Sequence, residues 1–546
     1  MVTTLMAITK TISHQRSAPS MSPTLRSSSL RTLIVGAALS LSSTLLLAVN
    51  AQAAIDIDPA NPDNNEPPHN AFLADSAWPM SHRTSYVQGS SPFPGPTSAE
   101  SLGNASYKAT NLLNITLAMS APYANGDLVA WGSGATDVYK ISVDTDRTQV
   151  IDKMKKTETP NIANGTTGAY TVLDKDNVFY VPGQGNLYAY TDSIKGDSDS
   201  DITLLRTLEI PANVLRGSNS EDPIVGINMM YDGYLSIATK RGTIAIISRD
   251  FSEFHYLQLG DSELGEEVSN SFAIDEDGGI YVVTSEQMYR VQWTGEKLSL
   301  DEADGAWQSA YENGADIQVP GRLGSGSGST PSLMGVGDQD KFVVITDGQM
   351  VTNLVLFWRD EIPADWQPIA PGKSRRIAAE VPVNYGDESR ELAMSEQSVL
   401  VRGYGAVVVS NDYGSDIAQS SNPTLSNLIN AFVVFFSNKP KYAPYGVEKF
   451  EWNPETRTLD VAWINNDISC PNGIPTMSAA SNLFYCVGQR DSRWNVEALN
   501  WDDGSSVFFK PMSKWFYYNS FYAATQIGPF GGIWTGTITG VAKVTP

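Results

Sequence analysis

The amino-acid sequence predicts an all-β fold: a β-propeller of seven or eight blades, each of about four antiparallel strands. Three observations carry that expectation. The chain has 546 residues, more than one ordinary domain, with 44 glycines and 30 prolines to serve many turns. A single phrase recurs from Asn125 to the C-terminal end: an Asp, Asn or Gly turn, a short apolar strand, a second turn and another strand. The strands are short, β-branched and aromatic, and bounded by Gly or Asp, as antiparallel hairpins require.

The elements follow in order. Residues 1–53 lack Asp and Glu, and their only charges are Lys10, Arg16, Arg26 and Arg31. An apolar run from Thr32 to Val49 then ends in Ala51-Gln52-Ala53, the layout of a secretory signal peptide cleaved after Ala53. Residues 54–75 are rich in Asp, Asn and Pro and read as a flexible leader. Residues 76–110 form an N-terminal strap, and 111–546 the propeller. The clearest copies of the repeat are NGDLVAWGSGATDVYKISVD, KDNVFYVPGQGNLYAY, YDGYLSIATKRGTIAIIS and EDGGIYVVTSEQMYRVQW. Aligned on the first strand residue, the copies begin at Leu128, Val178, Leu235, Ile280, Phe342, Val399, Leu483 and Ile533. The long gap after Val399 accommodates an insertion near residues 411–445. A propeller has to close its ring, and the terminal strand Gly540–Val544 is the expected clasp. Two packed sandwiches would not explain one phrase recurring across the whole chain.

Charge and cysteines set the compartment. The formal charge is −23, the wrong sign for nucleic acid or an anionic membrane surface. After the signal no apolar run is long enough to span a bilayer. The chain is therefore expected in the periplasm or secreted. There Cys470 and Cys486 should pair as a disulfide.

The segment SAWPMSHRTSYVQGSSPFPGP, Ser76 to Pro96, resembles the Trp-Pro strap before the first blade of quinoprotein-like propellers. The repeat phrase is similar to blades of that superfamily and of lactonase-like propellers. The first resemblance implies pyrroloquinoline quinone and the second a channel cation. The quinone's usual markers are missing: there is no adjacent Cys-Cys pair, and only Val143-Asp144-Thr145-Asp146 echoes its docking phrase. A quinone is therefore not expected, and haem c has no Cys-x-x-Cys-His to attach to.

Because inner strands surround the axis, residues at their starts should converge on one channel mouth. Asp222, Glu267, Asn270 and Asn519 are the candidate ligands there, hard oxygen donors of the kind that hold Ca²⁺. His82, in the strap, is the candidate general base. No nucleophile elbow, Walker loop or metalloprotease motif occurs. Two functions follow as expectations. The first is a module of the bacterial envelope binding a small molecule or an envelope protein. The alternative is a Ca²⁺-dependent lactonase- or esterase-like hydrolase with its site at the channel mouth.

Overall fold

The computed structural model describes residues 61–546 except 111, 115, 144–147, 159–168, 261–265, 315–321, 323–325, 415–428 and 431. Among them the strands form eight antiparallel sheets arranged as the blades of one propeller. The innermost strands are, in order, Thr116–Met119, Val172–Leu173, Ile224–Met229, Ala273–Ile274, Ser332–Met334, Leu400–Arg402, Thr476–Ser478 and Thr525–Ile527. The ring closes with strands from both ends of the chain. Gly540–Val544 pairs antiparallel with Ser106–Ala109, which becomes the outer strand of blade 8. The signal segment lies outside the described residues.

The core is a set of seams between blades, and this explains the near-continuous apolar strands. A strand covered on both faces alternates its side chains between two neighbours instead of between core and water. In Thr243–Ile247 of blade 3, Ile244 and Ile246 pack toward blade 4, while Ala245 and Ile247 pack toward blade 2. The outer strands show the opposite pattern, for example Ser506–Ser513, which is half-buried to exposed throughout.

The recurring Asp has a structural task. In blade 2, Asp174 accepts from the backbone N–H groups of Asp176 and Val178, and the Tyr180 hydroxyl donates to its other oxygen. In blade 4, Asp275 does the same for Asp277, Gly279 and Tyr281. These are side-chain-capped turns between first and second strands. Burial raises the pKa of both carboxyls.

Two expectations need correcting. The aligned phrase marks the second strand of each blade, not the inner one, except at Val399, which abuts the inner strand of blade 6. There the inner and second strands, Leu400–Arg402 and Gly405–Val409, are separated only by Gly403 and Tyr404, so the alignment slipped by one strand. Residues 61–75, read as a flexible leader, lie against the propeller. Asp63 and Glu66 both pair with Arg402, Glu66 also pairs with Arg83, and Asn70 donates to Ser85 and Met229. Composition identified these residues as water-seeking, but two buried guanidinium groups need their carboxylates. The insertion runs between Gly405–Val409 and Val447–Asn453, and its Ser/Asn-rich part lies mostly outside the described residues.

Candidate functional site

A propeller leaves the edge of every inner strand facing the axis, with backbone groups that need partners. Here the strap supplies them as a belt inside the ring. The carbonyl of Trp78 accepts from Met119 of blade 1 (2.7 Å) and that of Pro79 from Leu173 of blade 2 (2.9 Å). Ser85 serves Ile274 of blade 4 (2.8 Å) and Tyr86 serves Leu333 of blade 5 (2.9 Å). Gln88 serves Val401 of blade 6 (2.9 Å) and Ser91 serves Ala479 of blade 7 (2.8 Å). Blade 3 is met by Ser85, whose hydroxyl donates to the Met229 carbonyl at 2.8 Å. Ser90–Ser91 adds a short parallel strand to blade 7. The belt bends at Arg83 and Val87, which adopt left-handed φ of 75° and 60°. Its backbone contacts fall on middle and last residues of the inner strands, and it also meets the first residues Ser332 and Thr476.

The four expected ligands do not form one site. Asp222 accepts the backbone N–H groups of Arg216 (2.8 Å) and Arg241 (2.6 Å), tying its own loop to blade 3. Glu267 points outward, beside Lys240 at 3.5 Å. Asn519 donates to the carbonyls of Val434 and Phe435 and accepts from Phe521 N–H, anchoring the insertion of blade 6. Only Asn270 faces the axis. Among the described residues no group of three His, Cys, Asp or Glu side chains is placed to hold a metal ion. Cys470 and Cys486 form a disulfide with a Cα–Cα distance of 5.9 Å.

Asn270 belongs to a different constellation. The Tyr170 side chain reaches from blade 2 across the channel; its hydroxyl lies 3.1 Å from Asn270 Oδ1 of blade 4 and 3.3 Å from Thr330 Oγ1 of blade 5. Beneath it the His82 ring approaches the Tyr170 ring, with centroids 5.8 Å apart. His82 is 2% exposed, and its Nε2 has no protein partner. Burial alone drives its pKa down to about 4, so it is a neutral imidazole at neutral pH. As a general base it lacks the carboxylate partner expected of one. Burial also raises the Tyr170 phenol.

The rest of the mouth is built by blades 6 to 8. Tyr413 donates to the Pro471 carbonyl at 2.7 Å, and Asn411 donates to the same oxygen at 2.8 Å. That carbonyl sits beside the Cys470 disulfide, which holds this wall. Buried Glu396 presses its carboxylate against Gly328 of blade 5, where a side chain's Cβ would meet Oε2 at 2.2 Å. Tyr522 is pushed well up by burial and by Tyr413 and Glu396 beside it. Sequence reasoning missed Tyr170 because its inner strand, Val172–Leu173, is only two residues long. Glu396, three positions before Val399, was within reach of the strand-start reading, since that copy alone is aligned on its inner strand.

On the belt and at the starts of inner strands, buried polar atoms without a protein partner include His82 Nε2, Arg83 Nε, Thr84 Oγ1, Gln88 Oε1, Ser90 Oγ, Thr171 Oγ1, Ser395 Oγ, Gln397 Oε1, Asn472 Oδ1, Ser520 Oγ and Thr525 Oγ1. All but Arg83 Nε belong to neutral side chains. This donor set does not fit pyrroloquinoline quinone, a flat tricarboxylate that would need facing cations. Arg83 and Arg402 at the belt are already matched by Glu66 and Asp63. An open groove of about 800 Å³ lies away from the axis between blades 2 and 3, where Arg249 already pairs with Asp174 and Asp176.

The chain is 45% identical over 487 residues to an uncharacterized protein of Archaeoglobus fulgidus, covering 89% of this chain and 90% of that one. It belongs to the same family as that protein. No family model matches the chain. Among solved structures, quinohemoprotein alcohol dehydrogenase from Comamonas testosteroni superposes with a TM-score of 0.53 at 14% identity, over 87% of this chain and 81% of that one. The quinohemoprotein alcohol dehydrogenase ADHIIG of Pseudomonas putida HK5 gives 0.50 at 13%, over 86% and 80%. These likenesses show the fold alone, a β-propeller, here of eight blades.

Proposed function

We propose that this chain is an exported binding propeller, taking a small molecule at its axis. The observation that carries this reading is the junction over the axis, where Tyr170 of blade 2 meets Asn270 of blade 4 and Thr330 of blade 5 beside His82 of the strap, a set of polar and aromatic side chains from separate blades. The disulfide favours an oxidising compartment, and no described helix is long and apolar enough to cross a membrane.

The Ca²⁺-dependent hydrolase reading draws no support from its four ligands, which face different partners. A melting experiment on the exported protein separates the two readings. With EDTA the Tm is expected to stay unchanged, and added Ca²⁺ is expected to leave it unchanged too. An EDTA-reversible rise with Ca²⁺ would overturn the binding-module reading in favour of a channel cation.

A further inference from the structure

The net charge conceals a local exception. The formal charge is −23, yet no Asp or Glu occurs between Asp416 and Glu448 or anywhere after Asp503. The fold joins parts of these two stretches on one face at blades 6 and 7. Asn438, in the insertion of blade 6, donates to the Lys514 carbonyl at 3.3 Å. It also donates to the Ser492 carbonyl, at a hairpin tip of blade 7, at 3.0 Å. We infer that this face docks on an anionic lipid surface, its rings in the headgroup layer and its lysines against the headgroup charge. The inference goes beyond the binding-module reading and does not rest on it.

Aromatic rings run across the face with a lysine at each end. At one end the Lys441 ammonium lies 5.5 Å from the Tyr442 ring centroid, and Tyr442 meets Phe432 at 5.9 Å. At the other, Lys514 lies 5.4 Å from the Trp515 ring, which stacks within 8° of Tyr517. Phe435 and Phe516, 6.0 Å apart, join the two halves. Core packing accounts for the covered edges of these rings, but Trp515 is 54% exposed and Phe432 47%. Lys441 and Lys514 are exposed beside them. Large apolar side chains gathered in the open mark an interaction surface, and the composition selects the partner. Trp and Tyr concentrate at membrane–water interfaces, and each lysine near an anionic leaflet strengthens binding about fivefold. Protein interfaces favour Arg and are depleted in Lys, whereas the cations over these end rings are both lysines. A twofold contact of the face with a second copy would set lysine against lysine. The hairpin tip brings one carboxylate, Asp491, against Lys439 and Arg493. Repulsion from carboxylates elsewhere on the chain is screened beyond about 8 Å at physiological salt.

The test uses the chain from Ala54 onward, so that the apolar run Thr32 to Val49 cannot itself hold lipid. Vesicles of phosphatidylcholine alone are compared with vesicles in which about a third of the lipid is phosphatidylglycerol. Co-sedimentation is expected to show binding to the anionic vesicles and little to the neutral ones. Lys514→Glu and Trp515→Ala are each expected to weaken it about tenfold with the Tm unchanged, because both side chains are exposed. If Trp515→Ala lowers the Tm, Lys514→Glu, which keeps the ring packing in place, decides alone. Absence of binding to anionic vesicles, or equal binding to both vesicle types, overturns the proposal. So does binding that both variants retain in full. Dimerisation abolished by Trp515→Ala, without lipid binding, assigns the face to a second copy and overturns it as well.

Discussion

The two mouths of the channel are built on opposite terms. At the belt end, backbone carbonyls of residues 78–91 meet inner-strand N–H groups blade after blade, and buried charges are matched, Arg402 by Asp63 and Glu66. At the far end, hydroxyls and an amide oxygen are buried without protein partners. The consecutive aromatics Phe521 and Tyr522 there hold left-handed φ of 44° and 66°. Such strain costs on the order of 1–3 kcal/mol per residue and persists only where the surroundings enforce it. The belt end is finished in its charges, though His82, Gln88 and Ser90 there each keep an unpartnered atom; the far end rests on aromatics and the disulfide. The difference teaches that a propeller's axis has no inherent function: the chain that lines it decides how each end is built.

The largest effect should come from breaking the finished end. Arg402 is 1% exposed at its side chain and holds two carboxylates. Arg402→Ala should destabilise the protein by about 3–5 kcal/mol, as expected when one partner of a buried ion pair is removed. Denaturant unfolding reads this directly. A loss below about 1 kcal/mol would mean that residues 61–75 rest on the belt without holding it. Next comes the wall of the open end. Replacing both Cys470 and Cys486 by Ala should cost about 3 kcal/mol, given their separation of 16 residues. It should also loosen Pro471, whose carbonyl receives Asn411 and Tyr413. Hydrogen exchange at 470–472 rising alongside the stability loss is the expected signature; loss of stability without that local change would place the disulfide's effect in the unfolded chain.

How much of this was legible in the sequence follows from what repeats. Strand apolarity recurs in every blade and a turn Asp in several, because each blade solves the same packing problem, so a ring of seven or eight blades and its clasp at Gly540–Val544 could be read. Cys470 and Cys486 could be paired because the signal segment pointed to an oxidising compartment. The axis was hidden because it is assembled from singular residues. Tyr170 sits two positions before its inner strand, the same offset as Asp222 and Thr330, yet Tyr170 and Thr330 meet each other while Asp222 turns back to its own loop. Which way a side chain turns at a strand start depends on the neighbouring blade, and the phrase says nothing about that. Asp63 and Glu66 were hidden for a related reason, since their counter-charge Arg402 lies more than 300 positions away.

The smallest expected effect is a difference of slope, and it tests whether the axis is as dry as the rim. His82 at the axis has its pKa lowered to about 4 from 6.5. Glu448 in blade 6 is buried, its Oε1 has no protein partner, and its Oε2 accepts the Tyr385 N–H at 2.8 Å. Burial raises its pKa to about 7 from 4.5, against the lowering influence of that N–H and of Arg390. Between pH 4.5 and 6.5 the two act in opposite directions. In the unfolded chain His82 takes up a proton as pH falls through 6.5 while the folded one does not, so its contribution to stability is lost on acidification. Folded Glu448 keeps its proton where the unfolded one has released it, so its contribution is present at low pH and lost as pH rises toward 7. Each slope is about 1.4 kcal/mol per pH unit. Relative to the native sequence, Glu448→Gln should therefore lose stability more steeply on acidification by about that amount. His82→Gln should lose it less steeply by the same amount. Urea unfolding at pH 4.5, 5.5 and 6.5 measures both differences, in which all other titrating groups cancel. Parallel lines for His82→Gln alone would mean that water reaches the imidazole, and the floor of the axis would then be open to solvent.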